Sequence, residues 1–373
     1  MNWERVRLGD VCNMKSGGTP SRKKSSFFGG NIKWCKISDI ENATEGIVYD
    51  TEEKITEEGL SDINGRIFSE GTLLLAMYGS VGKVAFINEQ MSVNQAILGI
   101  NIKNLDILDS NFLYYWFIGE RRNLLNKAVG VTLKNISKGI VESLTIPLPP
   151  LSVQKEIVEK LDKAAAIREK SKALLTYYDA LAESLFIELF GDPISNEKGW
   201  EKKKLGEVVT NLNNMRVPLK SSDRQMLENK YPYYGASGII DYVDDFIYDG
   251  DNLLIGEDGA NLLSRSTPIA FIAKGKYWVN NHAHVNGYNG KSNLIYLCFF
   301  INKIDLSPYV TGSAQPKLNR GNLDNIEIPL PPLSLQVKFA EMVENIEKQK
   351  ARAKAEIEQS EAVFQALLQE SFG

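Results

Sequence analysis

Two stretches of the chain carry apolar residues at alternating spacings of four and three, which is the pattern of a coiled-coil helix. One stretch follows Ser152 and the other follows Ser334, and each continues for about five heptads. The pattern predicts two long helices over 150–191 and 332–373, with Ser152 and Ser334 as N-caps. The seam is defined best by Ile157, Leu161, Leu175, Leu185, Phe339, Val343, Ile357 and Leu367.

Shorter apolar runs in the rest of the chain predict globular segments of mixed α/β structure. Five of these runs have the length and composition of strands, and two are more typical of buried helices. The strand runs are 32–40, 71–77, 84–87, 252–255 and 268–273, and the helical runs are 112–117 and 294–301.

The sequence repeats itself. The heptapeptide Ile-Pro-Leu-Pro-Pro-Leu-Ser occupies 146–152 and again 328–334, and Phe-Gly at 190–191 recurs at 372–373 with the same offset of 182. A Pro-Leu-Pro-Pro run neither continues a helix nor fits a central strand, so each run marks the exit from a globular segment. The repeat predicts four parts: 1–149 and 192–331 as domains, each followed by a long helix, 150–191 and 332–373.

Arg168 and Lys350 place a cation at the same register position in both seams. A polar seam residue can fix the register or orientation of a coiled coil. A long side chain that snorkels off the edge of the seam explains the two cations equally well. Ala182 of the first helix matches Phe364 of the second, so the helices are not interchangeable, and pairing with each other is at least as natural as self-pairing.

Composition narrows the class of protein. The 373 residues are 43% hydrophobic, and 43 Lys and Arg against 47 Asp and Glu give a net charge of −4, so no global field attracts nucleic acid. Any DNA binding would need local basic patches or a partner. Three widely spaced cysteines exclude a disulfide framework, and no apolar run is long enough for a membrane span. We expect a soluble protein of a reducing compartment.

Catalytic and metal-binding motifs are missing from the sequence. No dinucleotide GxG turn, Walker A, HExxH or GxSxG motif occurs. His282 and His284 lack a third zinc ligand at suitable spacing, and the acidic turn near Asp249 has no paired nuclease residues. The sequence therefore predicts neither a catalytic site nor a metal site.

Glycine-punctuated loops with hydroxyl, basic and amide side chains recur in both halves. Loop 16–25 suits phosphate contacts, and turn 78–83 adds an exposed Tyr and Lys. In the second half, 233–238 and 312–320 are similar, and amide side chains such as Asn281 can read adenine. Each loop alone is also typical of an ordinary solvated turn in an α/β domain.

Taken together, these residues resemble the DNA-specificity subunit of Type I restriction–modification systems over essentially the whole chain. The resemblance is strongest at the starts of the halves near Trp3 and Trp200, at 77–83, at 234–240 and 312–317, and at the doubled heptapeptide. It implies an α+β fold in which two mixed α/β target-recognition domains form a pseudo-two-fold repeat. The two long helices would separate them as an antiparallel coiled coil.

The resemblance also implies function and partners. Each domain would read one half of an interrupted site in double-stranded DNA, and two modification subunits would methylate adenine N6. S-adenosylmethionine, ATP and Mg would be held by partner subunits, which include two restriction subunits in some systems, and none by this chain. The chain itself would be non-catalytic and would work in the prokaryotic cytoplasm, away from membranes.

The candidate DNA contacts follow from the loops and the resemblance together. In the first domain they are Thr19, Ser21, Arg22, Lys23, Lys24, Tyr78, Ser80 and Lys83. In the second domain they are Arg224, Tyr234, Ser237, Arg265, Asn281, Gln315 and Lys317. Two other hypotheses remain: a duplicated coiled-coil scaffold that bridges partner proteins without reading DNA, and the recognition half of a two-gene modification enzyme outside Type I.

Overall fold

A computed structural model describes residues 3–130, 134–220, 222, 230–312 and 315–373. The chain divides into two compact units, and each long helix contributes to both. Unit 1 combines residues 1–172 with 355–373, and unit 2 is residues 173–354. Among the described residues, none of the helices combines the length and the apolar character of a membrane span.

The domain of unit 1 contains ten strands and five short or medium helices among its described residues. The strands are β1 Arg5–Arg7, β2 Cys12–Ser16, β3 Phe28–Cys35, β4 Ile47–Val48, β5 Glu53–Ile55, β6 Leu73–Ala76, β7 Val84–Ile87, β8 Ser92–Val93, β9 Ile97–Ile102 and β10 Thr145–Pro147. The helices are α1 Leu8–Val11, α2 Ile37–Glu41, α3 Glu57–Asp62, α4 Ser110–Lys127 and α5 Lys138–Ser143.

Three sheets organise these strands. The largest has the order β2-β9-β6-β7-β4, a smaller one has the order β5-β3-β8, and β1 pairs with β10. Strands β6 and β9 are fully apolar where they cross the centre of the larger sheet, and α4 packs its aromatic face (Phe112, Trp116 and Phe117) into the same core. The predicted helix over 112–117 is therefore confirmed.

The predicted strand over 32–40 is wrong in its second half. Strand β3 ends at Cys35, and Ile37–Glu41 is helical. The reason is local, because an Asp39 carboxylate oxygen accepts a hydrogen bond from the Lys36 backbone N–H at 2.6 Å. This contact closes a capping turn at the start of α2.

The domain of unit 2 repeats the same plan. Its described strands are β11 Lys202–Lys204, β12 Val209–Asn211, β13 Tyr231–Gly235, β14 Gly238–Val243, β15 Tyr248–Asp249, β16 Asn252–Gly256, β17 Ala270–Ala273, β18 Lys276–Val279, β19 Ala283–Tyr288 and β20 Glu327–Pro329. Its short helices are α7 Leu205–Val208, α8 Asn261–Ser264, α9 Leu294–Lys303 and α10 Arg320–Asp324. The sheet orders are β12-β19-β16-β17 and β14-β13-β18-β15, with β11 paired to β20.

The two long helices are α6, Leu151–Phe190, and α11, Leu333–Phe372. They begin one residue earlier than the N-caps predicted at Ser152 and Ser334, which lie inside the first turn. The preceding prolines decide the start, because the carbonyl of Pro150 accepts from Gln154 N–H at 3.1 Å. The carbonyl of Pro332 accepts from Gln336 N–H at 3.2 Å in the same way.

Each unit packs one end of α6 against the opposite end of α11. In unit 1, Leu161 lies with Leu368, and the Phe372 ring contacts Phe112 of the domain at 5.1 Å. In unit 2, Phe190 of α6 contacts Phe339 of α11 at 5.3 Å between ring centroids. The start of each helix therefore meets the end of the other, and the antiparallel coiled coil is confirmed.

The seam residues differ in burial along the helices. Leu161, Phe339 and Val343 are buried, whereas Ile157, Leu175, Leu185, Ile357 and Leu367 are half-buried. Over the last two turns of each helix the buried positions are Phe186 and Phe190 in α6 and Leu368 and Phe372 in α11. Phe186 and Leu368 lie one residue beyond Leu185 and Leu367. The 3.6-residue turn of a helix drifts against a strict heptad in this direction.

A buried glutamine connects each long helix to the domain that precedes it. The side chain of Gln154 accepts from Asp109 N–H at 2.9 Å and donates to the carbonyls of Ile107 and Pro149 at 2.8 Å each. The side chain of Gln336, its repeat partner, accepts from Asn293 N–H at 2.8 Å. Both glutamines are fully buried, so these bonds satisfy polar groups that have no access to water.

Candidate nucleic-acid interface

The loops that carry most of the candidate contacts leave the same edge of the main sheet in each unit. In unit 1 these are residues 17–24, 77–83, 94–96 and 134–136, which we name loop cluster 1. In unit 2 they are residues 212–217, 257–259, 280–282 and 315–318, which we name loop cluster 2. Strands β2 and β6 end and the antiparallel β9 begins at this edge, and β12, β16 and β19 repeat the arrangement.

The backbone of the two clusters is held by equivalent hydrogen bonds. Met77 N–H donates to Ala96 O at 2.8 Å, and Glu257 N–H donates to His282 O at the same distance. Two further bonds repeat in the same way. Ile136 N–H donates to Met77 O at 2.9 Å, and its equivalent is Leu318 N–H to Glu257 O at 2.8 Å. Gly79 N–H donates to Lys134 O at 2.9 Å, and its equivalent is Gly259 N–H to Pro316 O at 3.0 Å. Asn135 therefore occupies the backbone position of Lys317, with a different side chain.

Loop 17–24 enters cluster 1 through a close backbone approach. A Cβ atom on Gly17 would lie 2.2 Å from the carbonyl oxygen of Val93, so only glycine fits there. The hydroxyl of Thr19 accepts from Gln95 N–H at 3.4 Å. Thr19 thus lies beside Gln95, whose neighbour Ala96 bonds to the turn that contains Tyr78.

Arg22 is committed to contacts within the domain. Its guanidinium forms a two-bond contact with the Glu53 carboxylate at 2.7 and 3.3 Å and stacks over the rings of Phe28 and Trp34. The paired Arg22 and Lys36 cations lower the pKa of Glu53, although burial opposes this. A phosphate would have to compete with a carboxylate for this guanidinium.

The other members of loop 17–24 are more open. Lys23 and Lys24 are exposed, and the Lys24 ammonium lies 4.9 Å above the ring of Phe27. Ser21 is exposed, and its backbone N–H donates to Asp62 at 2.9 Å. These three side chains leave their charged or hydroxyl ends towards solvent.

The turn 77–83 is fixed by one carboxylate. Glu41 accepts from the Ser80 hydroxyl at 2.5 Å and from the Lys83 ammonium at 3.1 Å. These two contacts lower the pKa of Glu41. Tyr78 remains 46% exposed and pairs through its backbone with Asn135. The exposed group of this turn is therefore the tyrosine.

A half-buried carboxylate organises loop cluster 2. Glu257 accepts from Arg216 at 2.7 Å, and the Lys317 ammonium lies 3.3 Å away from its other oxygen. Burial alone would raise the pKa of Glu257, but the two cations outweigh it and the pKa is lowered. Arg216 also donates to the carbonyl of Ala283 at 2.8 Å and, at 3.3 Å, to that of Asn281. Glu257 thus connects the exposed Lys317 to the turn that carries Asn281.

A second acid holds the neighbouring histidine. Asp258 lies 2.8 Å from the imidazole Nδ1 of His282, whose side chain is 48% exposed. Asn281 is exposed beside it, and Asn280 accepts from His282 N–H at 2.8 Å. The two acids therefore keep Asn281, His282 and Lys317 in one exposed group.

His284 beneath this group is a neutral core residue. Its Nε2 lies 2.7 Å from the carbonyl of Leu318, which only accepts, so Nε2 carries the proton. The side-chain amide of Asn213 then donates to Nδ1 at 2.8 Å. Glu257 is 3.6 Å from Nδ1, but a neutral ring forms no ion pair. Burial lowers the pKa of His284 accordingly.

This burial predicts a pH dependence of stability. The unfolded ring gains a proton below its ordinary pKa of 6.5, whereas the folded ring resists it. The free energy of unfolding is therefore unaffected by this ring above pH 6.5. It decreases as the pH falls below that value, by up to about 1.4 kcal/mol per pH unit. Urea unfolding at pH 7.5 and 5.5 measures it. H284L, which introduces the leucine that unit 1 has at Leu98, should reduce this decrease in the free energy of unfolding. The control H282L should leave the decrease as it is in the wild type. An equal decrease in wild type and H284L would contradict the assignment of the effect to His284.

Other predicted contacts of the second domain lie in different places. Ser237 is exposed at the tip of the β13–β14 hairpin, and Tyr234 packs on Phe271 and Tyr277. Gln315 is exposed in loop cluster 2. Arg224 lies outside the described residues.

Arg265 is apart from loop cluster 2. Its guanidinium donates to the carbonyl of Ile304 at 2.7 Å, after α9. It lines a surface groove of about 770 Å³ with Asp179 of α6 and Lys350 of α11. The structure therefore places it beside the long helices rather than with Lys317.

The same duplicated arrangement is found when the chain is compared with known proteins. A family model described as the Type I restriction modification DNA specificity domain matches residues 1–176 and 197–359. The two matched stretches cover most of the chain and coincide with its two halves. The chain belongs to the Type I restriction–modification specificity family.

Relatives span nearly the whole of this specificity chain. The specificity subunit of the Type I restriction enzyme EcoprrI from Escherichia coli is 26% identical over 364 residues, which cover 92% of this chain and 87% of the relative. The MjaIX specificity subunit of Methanocaldococcus jannaschii is 25% identical, with 92% and 86% covered. The crystal structure of a Type I S subunit from M. genitalium superposes with a TM-score of 0.66 at 17% identity, covering 100% and 96%. The resemblance predicted from the sequence is confirmed, as is the fold class.

Sequence reasoning missed the residues that organise the specificity chain's second loop cluster. Arg216, Glu257 and Asn213 carry no motif, and each finds its partner more than 40 residues away. One available signal was the repeat itself, because Glu257 stands where unit 1 has the apolar Met77 after an apolar strand. Within the described residues, no three His, Cys, Asp or Glu side chains form a group suited to a metal ion.

Proposed function

We propose that this chain is the DNA-reading subunit of a Type I restriction–modification assembly. Each domain, 1–149 and 192–331, would read one half of an interrupted site in double-stranded DNA, and the helices 150–191 and 332–373 would set the distance between the halves. The observation that carries the proposal is the pair of loop clusters, which share backbone hydrogen bonds but expose different side chains. A constant scaffold with variable exposed groups suits the reading of two different half-sites.

Within this proposal, the exposed side chains are assigned as DNA contacts. In loop cluster 1 these are Ser21, Lys23, Lys24 and Tyr78, together with the half-buried Thr19. Arg22, Ser80 and Lys83 would shape the loops through their carboxylate partners. In loop cluster 2 the contacts are Asn281, Gln315 and Lys317, joined by His282. Lysines suit phosphates or guanine, and the amides suit adenine.

The chemistry would belong to partner subunits. Two modification subunits would bring S-adenosylmethionine and methylate adenine N6, and restriction subunits would use ATP and Mg. One solved structure with the same fold, at a TM-score of 0.55 and 17% identity, is described as concerning complex assembly of the type I R-M system. The chain would position these subunits and would itself be non-catalytic.

The expected result of a methylome experiment follows from the proposal. The chain is expressed with its modification subunit in an unmethylated host, and N6-methyladenine is mapped by long-read sequencing. A two-part motif with a fixed gap is expected, and exchange of residues 192–331 for another recognition domain should change only one part. If a co-purifying modification subunit that binds S-adenosylmethionine deposits no new methylation, the chain is a scaffold that bridges proteins.

A further inference from the structure

Two ion pairs between the long helices are copies of each other. In unit 1, Arg168 Nη1 of α6 lies 2.8 Å from Glu361 Oε2 of α11. In unit 2, Lys350 Nζ of α11 lies 2.7 Å from Asp179 Oδ1 of α6. Arg168 and Lys350 occupy equivalent positions of the repeat, and so do Asp179 and Glu361. Each helix therefore supplies one cation and one acid to the two pairs. The side chains of Arg168 and Lys350 are about four-fifths buried, so they do not simply extend into solvent.

Between these pairs the fully buried seam positions carry small residues, and the larger Leu175 and Ile357 are only half-buried. Ser171, Ala353 and Ser360 are the buried positions there, and the Ser171 hydroxyl donates to Glu356 at 3.2 Å. The buried aromatic residues of the seam lie nearer the helix ends and contact the domains: Phe364 contacts Tyr115, and Phe339 contacts Phe299. The Phe364 ring also lies 5.1 Å from the Arg168 guanidinium. Small residues fit several registers equally well, so apolar packing discriminates poorly in this middle segment.

The charges discriminate strongly between registers. A slip of one heptad in one direction would bring Lys354 opposite Arg168 and Lys172 opposite Lys350, which places like charges together at both sites. A slip in the other direction would bring Leu368 opposite Arg168 and Phe186 opposite Lys350, which buries each cation against apolar side chains. Both slips lose two ion pairs and add a penalty.

We propose that the pairs Arg168–Glu361 and Asp179–Lys350 fix the register of α6 against α11. The four residues are positioning residues, and they would act on the gap between the half-sites through the helices. This consequence rests on the proposed function, whereas the register itself is a property of the chain alone. Because the chain is duplicated, each unit contains one of the two pairs.

The proposal predicts which variant should slip and in which direction. In R168E/K350E the native register places the two introduced carboxylates against Glu361 and Asp179, so like charges meet at both sites. The first slip instead places the introduced carboxylates opposite Lys354 and Lys172, which are attractive contacts. The double variant should therefore move towards that register, with the native population falling by about fivefold.

Distance measurement between spin labels on K170C and Q359C reads the register directly. Both positions are exposed and lie on the facing helices of unit 1. The native cysteines compete poorly for the label, because Cys12 and Cys35 are buried and burial raises the pKa of the Cys12 and Cys298 thiols to about 12. A one-heptad slip displaces the labels by about 10 Å along the axis.

Two further variants make the test decisive. K163E reverses a lysine whose 2.6 Å partner, Glu159, is on its own helix, so it should keep the single native distance. R168E/E361R/D179K/K350E restores both pairs with inverted polarity and should return the single distance. An unchanged native distance in folded R168E/K350E, or no recovery in the inverted variant, would overturn the proposal. Because this readout uses no DNA, it is independent of whether the chain reads DNA.

Discussion

F339A is expected to destabilise unit 2 by about 3–5 kcal/mol, the usual cost of removing a fully buried aromatic side chain. Phe339 is completely buried and contacts Phe186, Phe190 and Phe299 at centroid distances of 5.6, 5.3 and 5.1 Å. Its removal opens a cavity where both long helices meet the second domain. Urea unfolding followed by circular dichroism measures the loss.

The matched control for F339A is V337A on the same helix. Val337 is 40% exposed, so its truncation should cost less than about 1 kcal/mol. If the two variants unfold at the same urea concentration, the aromatic cluster does not hold the helices to the domain in the way described.

E257Q is expected to weaken the second domain by about 3 kcal/mol, the low end of the cost of removing one partner from a buried ion pair. Under the proposed function it should also abolish reading of one half-site. The Arg216 and Glu257 side chains are 15% and 13% exposed, so the substitution leaves a cation without its counter-charge in a mostly dry site. Arg216 also donates to the carbonyls of Asn281 and Ala283, so the turn that carries Asn281 should loosen when Arg216 loses its partner. Binding to DNA that carries each half-site separately measures the effect.

A paired variant separates stability from reading in this prediction. R216M/E257M replaces the charge pair by apolar side chains of the kind that unit 1 uses at Met77, and stability should recover. Reading of the half-site should not recover, because Asn281 and Lys317 lose their polar support. Full DNA selectivity in R216M/E257M would show that the ion pair has only a structural role.

The parts of the fold that sequence predicts well are those encoded locally. Three features are encoded within short stretches of sequence: the seams of the two long helices, the doubled proline runs and the aromatic helix near Trp116. The structure contains each of them. The strand predicted over 32–40 failed because one side chain, Asp39, caps a turn that hydrophobicity does not reveal.

The candidate site was less predictable because its geometry comes from distant pairs. Loop 17–24 was identified from its composition, yet Arg22 bonds to Glu53, 31 residues away, and stacks on Phe28 and Trp34. Arg216, which follows β12, likewise bonds to Glu257, which follows β16, and only the folded sheet brings these two residues together. Composition finds loops that can bind, but long-range contacts decide which side chains are free.

The buried glutamines Gln154 and Gln336 have a consequence for how such a gene can evolve. Each lies just after the repeated heptapeptide and bonds back to the domain before it. A crossover between gene copies at the heptapeptide codons would join a foreign domain to a resident helix with the glutamine and its proline carbonyl already in place. Under the proposed function, one recombination event would therefore exchange the half-site that is read and keep the helix's own part of this connection.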